Sequence, residues 1–199
     1  PDLRGHGDSA HSPDGAYLTP YHVLDCVDLI ETLGAERVTF VAHSFGGAIA
    51  VRYAALYPDR VAKFAIADGL GPSPKFVAKW DAEGPLPRTR DWVEKRRALA
   101  KQTQRPIASI EDAAARLMRD RPRLTKELAT HLAEHALRRE GEGYVWKRDP
   151  RVNIFTPEDF AQETAAVRAA VTAPVLLFWG PESWTTHPEE DGRAAAFRN

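Results

Sequence analysis

Residues 37–47 read RVTFVAHSFGG and change character at Ser44. The run before Ser44 is β-branched and aromatic, which predicts a short buried strand over residues 37–42. The segment after it is rich in alanine and has apolar residues at helical spacing, which predicts a helix over residues 46–57 that Pro58 closes. The sequence therefore predicts a strand that passes into a helix through one tight turn.

A serine at such a turn is suited to nucleophilic chemistry. Its hydroxyl is a weak nucleophile unless it is held in the open beside a base and close to donors for an oxyanion. The pattern for this nucleophile elbow is G-x-S-x-G; here Ala42 replaces the first glycine, and we expect Ala42 and Gly46 to let the strand and the helix approach. The N–H of Phe45 would then donate to the oxyanion at the positive end of the helix dipole. The other interpretation is a small-residue turn that only permits close packing.

Further strands and helices flank this turn in the sequence. Residues 19–33 predict a helix, and residues 61–67 and 174–179 predict strands. Because the strands show little alternation and are separated by helices, we expect a parallel sheet covered on both faces. Residues 69–87 are rich in glycine and proline and predict a loop. Four more helices are predicted, over residues 91–102, 109–118, 125–139 and 156–167.

The composition excludes several classes of protein. The chain has 199 residues, 43% of them hydrophobic, and 27 basic against 28 acidic side chains, as in an ordinary globular domain. The formal net charge of −1 argues against nucleic-acid binding, and no apolar run is long enough to cross a membrane. Cys26 is the only cysteine and cannot form an internal disulfide; we expect a cytoplasmic protein. Since the chain opens on Pro1, we also expect it to be a piece of a longer protein.

Three segments together resemble the α/β-hydrolase family. Residues 2–9 are similar to the D-x-R-G-x-G-x-S loop of that family, residues 42–47 to its nucleophile elbow, and residues 174–180 to a late strand that ends in glycine. The resemblance implies an α/β class: a partial α/β-hydrolase fold, with a mostly parallel sheet flanked by helices and an inserted all-helical cap. The implied domains are an incomplete hydrolase core, residues 1–70 and 171–199, and a cap or lid, residues 71–170.

The resemblance also implies a catalytic triad in the chain order Ser, then Asp or Glu, then His. Two acids remain open: Asp68 follows the predicted strand at residues 61–67, and Glu182 follows the strand at residues 174–179. Where the family commonly has Asp after this later strand, the sequence has Ser183. We identify neither the catalytic histidine nor the second oxyanion donor in this chain, so we expect the isolated chain to be inactive.

The function implied is a cofactor-free serine hydrolase, esterase-like, that acts on a small ester or related carbonyl compound. A serine nucleophile in place of aspartate argues against the dehalogenase and epoxide-hydrolase branches of the family. One alternative is a ligand-binding protein with the same fold and no catalysis. A less favoured one is a zinc peptidase, because His131, Glu134 and His135 match H-x-x-E-H, although we expect no metal. The sequence does not predict the oligomeric state.

Overall fold

The computed structural model describes residues 1–101, 104–153 and 165–198. The chain forms two compact units, which are described separately. The sheet unit comprises Leu18–Trp92 and Phe155–Asn199, and the hairpin unit comprises Pro1–Tyr17 and Val93–Ile154.

The described residues form five strands and seven α-helices. The strands are β1 Val38–His43, β2 Val61–Ala67, β3 Leu137–Glu140, β4 Gly143–Trp146 and β5 Val175–Phe178. The helices are α1 Thr19–Thr32, α2 Phe45–Leu56, α3 Pro74–Ala82, α4 Pro85–Ala100, α5 Ile110–Asp120, α6 Lys126–Ala136 and α7 Ala165–Ala169. Short 3-10 turns lie at Pro58–Arg60 and Pro150–Asn153. The helix predicted over residues 156–167 lies mostly outside the described residues.

The sheet unit contains a three-stranded parallel sheet in the order β1-β2-β5. One face is apolar and partly or fully buried: Phe40 stacks on Phe64 with ring centroids 5.5 Å apart, and Ile66 is buried between neighbours on both sides. Helices α1, α2 and α7 contribute to the same core, as the buried side chains of Ile30 and Tyr53 illustrate. The parallel sheet flanked by helices therefore confirms the predicted fold class.

The opposite face of this sheet differs from the expectation. We expected cover on both faces, but the exposed fraction of Val41 is 85%, and Leu176 and Phe178 are more than half exposed. The strand register explains the pattern. Val41 pairs with Ala65 and Ala65 pairs with Leu176, so these three residues lie on one face, and Phe178, two residues after Leu176, lies on it as well. In the described chain the strands of this sheet alternate between a more buried and a more exposed face.

The hairpin unit contains β3 and β4, which pair antiparallel, and the packed helices α5 and α6. Its core includes Ile107, Ala113, Ala129 and Leu137, all less than 5% exposed. The two strands correct the expected all-helical character of residues 71–170. Helix α6 was predicted to continue to Arg139, but the backbone is already extended at Leu137.

A turn at Gly141 explains why β3 and β4 form here. Gly141 has a φ of +60°, and only two residues separate β3 from β4, which suits a tight hairpin turn. The loop predicted over residues 69–87 is also wrong in part, since α3 lies within it. The Ser73 hydroxyl caps that helix by accepting a hydrogen bond from Phe76 N–H at 3.3 Å.

The hairpin unit also holds a buried polar cluster around Asp149, which is 2% exposed. The Tyr17 hydroxyl donates to Asp149 Oδ2 at 2.6 Å, and Arg151 donates to both carboxylate oxygens. Burial opposes ionisation of Asp149, but hydrogen bonds from Arg151 and Tyr17 outweigh burial and lower its pKa from 3.8 to about 2. Arg151 also donates to the carbonyls of Ser12 and Pro13, so this ion pair joins the N-terminal loop to the segment after β4.

None of the described helices combines the length and the apolar composition needed to cross a membrane.

Candidate active site

The candidate site lies at the carboxyl edge of the parallel sheet. Strand register aligns the last residues of the three strands, with His43 beside Ala67 and Ala67 beside Phe178. The residues that follow them, including Ser44 and Asp68, therefore emerge at one edge. This edge is where ligands bind in open α/β sheets.

Ser44 occupies the turn between β1 and α2 in an unusual backbone conformation. Its φ is +50° and its ψ −121°, a region that residues other than glycine rarely adopt. Two hydrogen bonds hold this turn: Ser44 N–H donates to the Ala67 carbonyl at 3.0 Å, and Gly47 N–H donates to the Ser44 carbonyl at 2.9 Å. Ser44 is exposed, so the strained turn presents its residue to solvent.

The close approach at this turn involves Gly47 and Gly69. A Cβ on Gly47 would lie 2.8 Å from the Cα of Gly69, whereas a Cβ on Gly46 would meet only Ala42 Cβ at 3.9 Å, an ordinary contact. The sequence pattern had assigned the close approach to Ala42 and Gly46. The structure corrects this assignment, because the tight contact joins α2 to the loop after β2.

Phe45 is the first residue of α2 and lies directly after Ser44. The N–H groups of a first helical turn have no acceptor within the helix, so the Phe45 N–H is suited by position to an oxyanion. The Phe45 ring meets the buried His22 edge to face, with centroids 5.0 Å apart. This packing of residue 22 was not predicted from the sequence.

Asp68 follows β2 and is half-buried, with a φ of +45°. Its N–H donates to the Phe178 carbonyl at 2.9 Å. The Ser183 hydroxyl donates to both Asp68 carboxylate oxygens, each 2.9 Å away. Ser183 stands where the family commonly has Asp after the later strand, so that position and Asp68 are one hydrogen bond apart. Glu182, the other candidate acid, is exposed in the segment after β5.

Two buried arginines, neither of them predicted from the sequence, donate hydrogen bonds to the loop that follows Asp68. Arg168 donates to the Leu70 carbonyl at 3.0 Å, and Arg193 donates to the Gly71 carbonyl at 2.6 Å. Asp191 compensates the charge of Arg193 at 2.9 Å. Burial opposes ionisation of Asp191, but hydrogen bonds from Arg193 and Thr186 lower its pKa.

His43 and His187 also lie near these segments. His43 is exposed at the end of β1, and His187 Nδ1 accepts a hydrogen bond from Glu189 N–H at 3.3 Å. The His187 ring lies edge-on to Trp179, with centroids 6.0 Å apart. We assign neither residue the role of general base, so the expectation that the base lies outside this chain stays a prediction.

The H-x-x-E-H residues lie on α6 in the hairpin unit. His131, Glu134 and His135 are all exposed, and the two imidazole centroids are 4.3 Å apart. Within residues 1–101, 104–153 and 165–198, no group of three or more His, Cys, Asp or Glu side chains could hold a metal ion. Among the described residues, His131, Glu134 and His135 therefore do not form such a group.

Comparison with known proteins identifies the family of this chain. The family described as alpha/beta hydrolase fold matches residues 1–197. A serine hydrolase-like protein of Danio rerio is 32% identical over 77% of this chain and 47% of its own length. A 3-hydroxybutyrate-oligomer hydrolase of Cupriavidus necator is 28% identical over 92% of this chain and 62% of its own length.

A solved structure agrees as well. The crystal structure of a hypothetical protein from Pseudomonas aeruginosa PAO1 superposes with a TM-score of 0.75 at 30% identity, covering 88% of this chain and 61% of that protein. The chain therefore spans less than two thirds of the length of each of these three proteins. The match over residues 1–197 and the parallel sheet with its strained serine turn lead to one conclusion: the chain belongs to the α/β-hydrolase fold family.

Proposed function

We propose that this chain carries the nucleophile and the acid of a serine hydrolase that acts on an ester or a related carbonyl compound. The observation that carries the proposal is the exposed Ser44 at a φ of +50°, with Asp68 following the adjacent strand at the same edge of the sheet. A strained strand-to-helix turn that exposes a serine is the geometry of a nucleophile elbow.

The proposed reaction follows the chemistry of acyl transfer. Ser44 Oγ attacks the carbonyl carbon while a histidine accepts its proton, and the Phe45 N–H donates to the resulting oxyanion. Collapse of the tetrahedral intermediate breaks the bond to the leaving group, which takes the proton from the histidine. Water then hydrolyses the acyl-enzyme by the same steps. Asp68 orients the histidine and stabilises its cation.

Asp68 is the better supported of the two acids. It follows the strand next to the nucleophile, and a hydroxyl from another loop contacts its carboxylate. Glu182 is exposed, whereas Asp68 is half-buried, so the protein shields the Asp68 carboxylate from water more than that of Glu182. We therefore propose Asp68 as the acid and keep Glu182 as the alternative to be tested.

Two relatives support hydrolysis as the reaction class. The protein of Danio rerio is described as serine hydrolase-like, and that of Cupriavidus necator as a hydrolase of 3-hydroxybutyrate oligomers. We propose for this chain a small-molecule substrate and a reaction without a cofactor. The proposed steps use protein side chains, one backbone N–H group and water, and none of them requires a cofactor.

Active-site labelling of the natural protein at its full length tests the proposal. A fluorophosphonate probe reacts with a serine only when that serine is activated, so we expect labelling that maps to the Ser44 peptide and disappears in Ser44→Ala. Circular dichroism of Ser44→Ala would check that the fold is retained. Absence of labelling in the intact, folded protein would reject the serine hydrolase and favour the ligand-binding alternative.

A further inference from the structure

We propose that Ser183 is a positioning residue for Asp68, holding its carboxylate in the orientation that the triad requires. The proposal rests on the proposed function and adds a residue to that site. Its basis is the contact of the Ser183 hydroxyl with both carboxylate oxygens of Asp68, each at 2.9 Å.

The surroundings of Ser183 fix the direction of this hydrogen bond. The Thr185 N–H approaches Ser183 Oγ at 3.4 Å, and the Ser183 N–H donates to the Gly180 carbonyl at 3.0 Å. The hydroxyl oxygen accepts from Thr185, and an ionised carboxylate can only accept, so the one proton of Ser183 is donated to Asp68. Ser183 is itself half-buried, so this hydrogen bond is partly shielded from water.

Arg193 fixes the distance between the loops that carry the two residues. This side chain is only 3% exposed and reaches both loops. It donates to the Gly71 carbonyl in the loop after β2, and in the loop after β5 to Thr185 Oγ1 at 2.9 Å and the Thr186 carbonyl at 2.6 Å. One buried guanidinium therefore connects the loop of Asp68 to the loop of Ser183.

The charge at this position explains why a hydroxyl suits residue 183. A carboxylate there would lie within hydrogen-bonding distance of Asp68, and two carboxylates so close cannot both be ionised. A hydroxyl donates one proton and adds no charge, so Asp68 can remain the anion that orients the histidine. The same proximity implies that a carboxylate at residue 183 could replace Asp68 when residue 68 is neutral.

The first experiment compares three substitutions in the natural protein at its full length, using fluorophosphonate labelling of Ser44 and hydrolysis of p-nitrophenyl butyrate. Ser183→Thr keeps the hydroxyl. Ser183→Val introduces a side chain with nearly the same shape as threonine but without a hydroxyl. We expect Ser183→Val and Ser183→Ala to lower kcat and the labelling rate about tenfold with little change in KM, which corresponds to loss of one hydrogen bond to a charged group. Ser183→Thr should stay within about threefold of the parent.

The second experiment moves the carboxylate and does not depend on the stability of Ser183→Ala. Asp68→Asn should abolish most turnover. The double variant with Asp68→Asn and Ser183→Asp should turn over at least about tenfold faster than Asp68→Asn alone. Ser183→Asp on its own should be slower than the parent and shift the pH profile of kcat, a change that a purely structural role would not produce.

The outcomes separate the two proposals. If Ser44 labels in the parent and Ser183→Val is as fast as Ser183→Thr, the positioning role is rejected and the serine hydrolase stands. No gain from the relocated carboxylate in a folded double variant would also count against it. If Ser44 does not label in the parent, the proposed function fails, and the positioning role fails with it.

Discussion

Gly47 and Gly69 lie so close that a Cβ on Gly47 would be 2.8 Å from the Cα and the carbonyl carbon of Gly69. This contact joins the first turn of α2 to the loop directly after Asp68. The spacing between the proposed nucleophile and the proposed acid therefore depends on the absence of a side chain at residue 47.

The first prediction concerns this contact. Gly47→Ala should lower the free energy of unfolding by about 1–3 kcal/mol, because the added methyl group overlaps backbone atoms that can give way only by a shift of the helix or the loop. Gly46→Ala is the matched control, since its Cβ would meet only Ala42 Cβ at 3.9 Å. Urea unfolding of both variants measures the difference, and equal stabilities would contradict the proposed overlap.

The second prediction separates the two candidate acids. Asp68→Asn should lower kcat of the full-length protein on the order of 10³- to 10⁴-fold, as expected when a triad histidine loses its orienting carboxylate. Glu182→Gln removes a nearby but exposed carboxylate and should change kcat by about twofold or less. Steady-state kinetics on a p-nitrophenyl ester measures both. If Glu182→Gln lowered kcat more than Asp68→Asn does, the acid would be assigned to Glu182, after β5.

Much of this arrangement could be predicted because local sequence determines it. The strand over Val61–Ala67 was predicted with the observed bounds, and the prediction for residues 37–42 differs from β1 by one residue at each end. Both are short apolar segments bounded by turns and helices, so the pattern and the packing agree. The serine turn was predicted for the same reason, since a strand and a helix directly adjoin it.

The remaining features depend on contacts between residues distant in sequence. The hydrogen bond from Ser183 to Asp68 joins residues 115 positions apart, and no local pattern marks either as a partner of the other. The β3–β4 hairpin was missed because Arg138 and Arg139 continue a helical pattern, whereas the turn at Gly141 and pairing with β4 favour an extended chain. Tertiary pairing overrode local propensity there.

The third prediction concerns the pH dependence of the hairpin unit. The pKa of Asp149 is about 2 in the folded chain against an ordinary value of 3.8, so the folded state binds the proton more weakly than the unfolded state. Asp149 should therefore contribute about 2 kcal/mol of stability above pH 4, which is lost as the pH falls towards 2.

Asp149→Asn isolates this contribution from that of the other carboxylates. The difference in free energy of unfolding between the parent and Asp149→Asn should be largest near pH 6 and shrink between pH 4 and pH 2. Denaturant titrations at several pH values measure it. Tyr17→Phe, which removes the donor at 2.6 Å, should destabilise the protein by about 1–3 kcal/mol. If the difference in free energy of unfolding between the parent and Asp149→Asn were independent of pH, the ionised Asp149 would not be the source of this stability.

The last prediction concerns the exposed face of the parallel sheet. Val41 is 85% exposed, and Leu176 and Phe178 stand on the same face more than half exposed. Contiguous apolar side chains on a sheet promote association, so we expect the 199-residue chain to self-associate through this face. Val41→Thr combined with Phe178→Thr should shift sedimentation towards the monomer, because threonine is suited to strands and its hydroxyl makes both positions less apolar. Phe64→Thr is the contrasting control: it lies on the buried face and should unfold the chain without relieving association. A monomeric parent chain at concentrations of tens of micromolar would contradict the prediction.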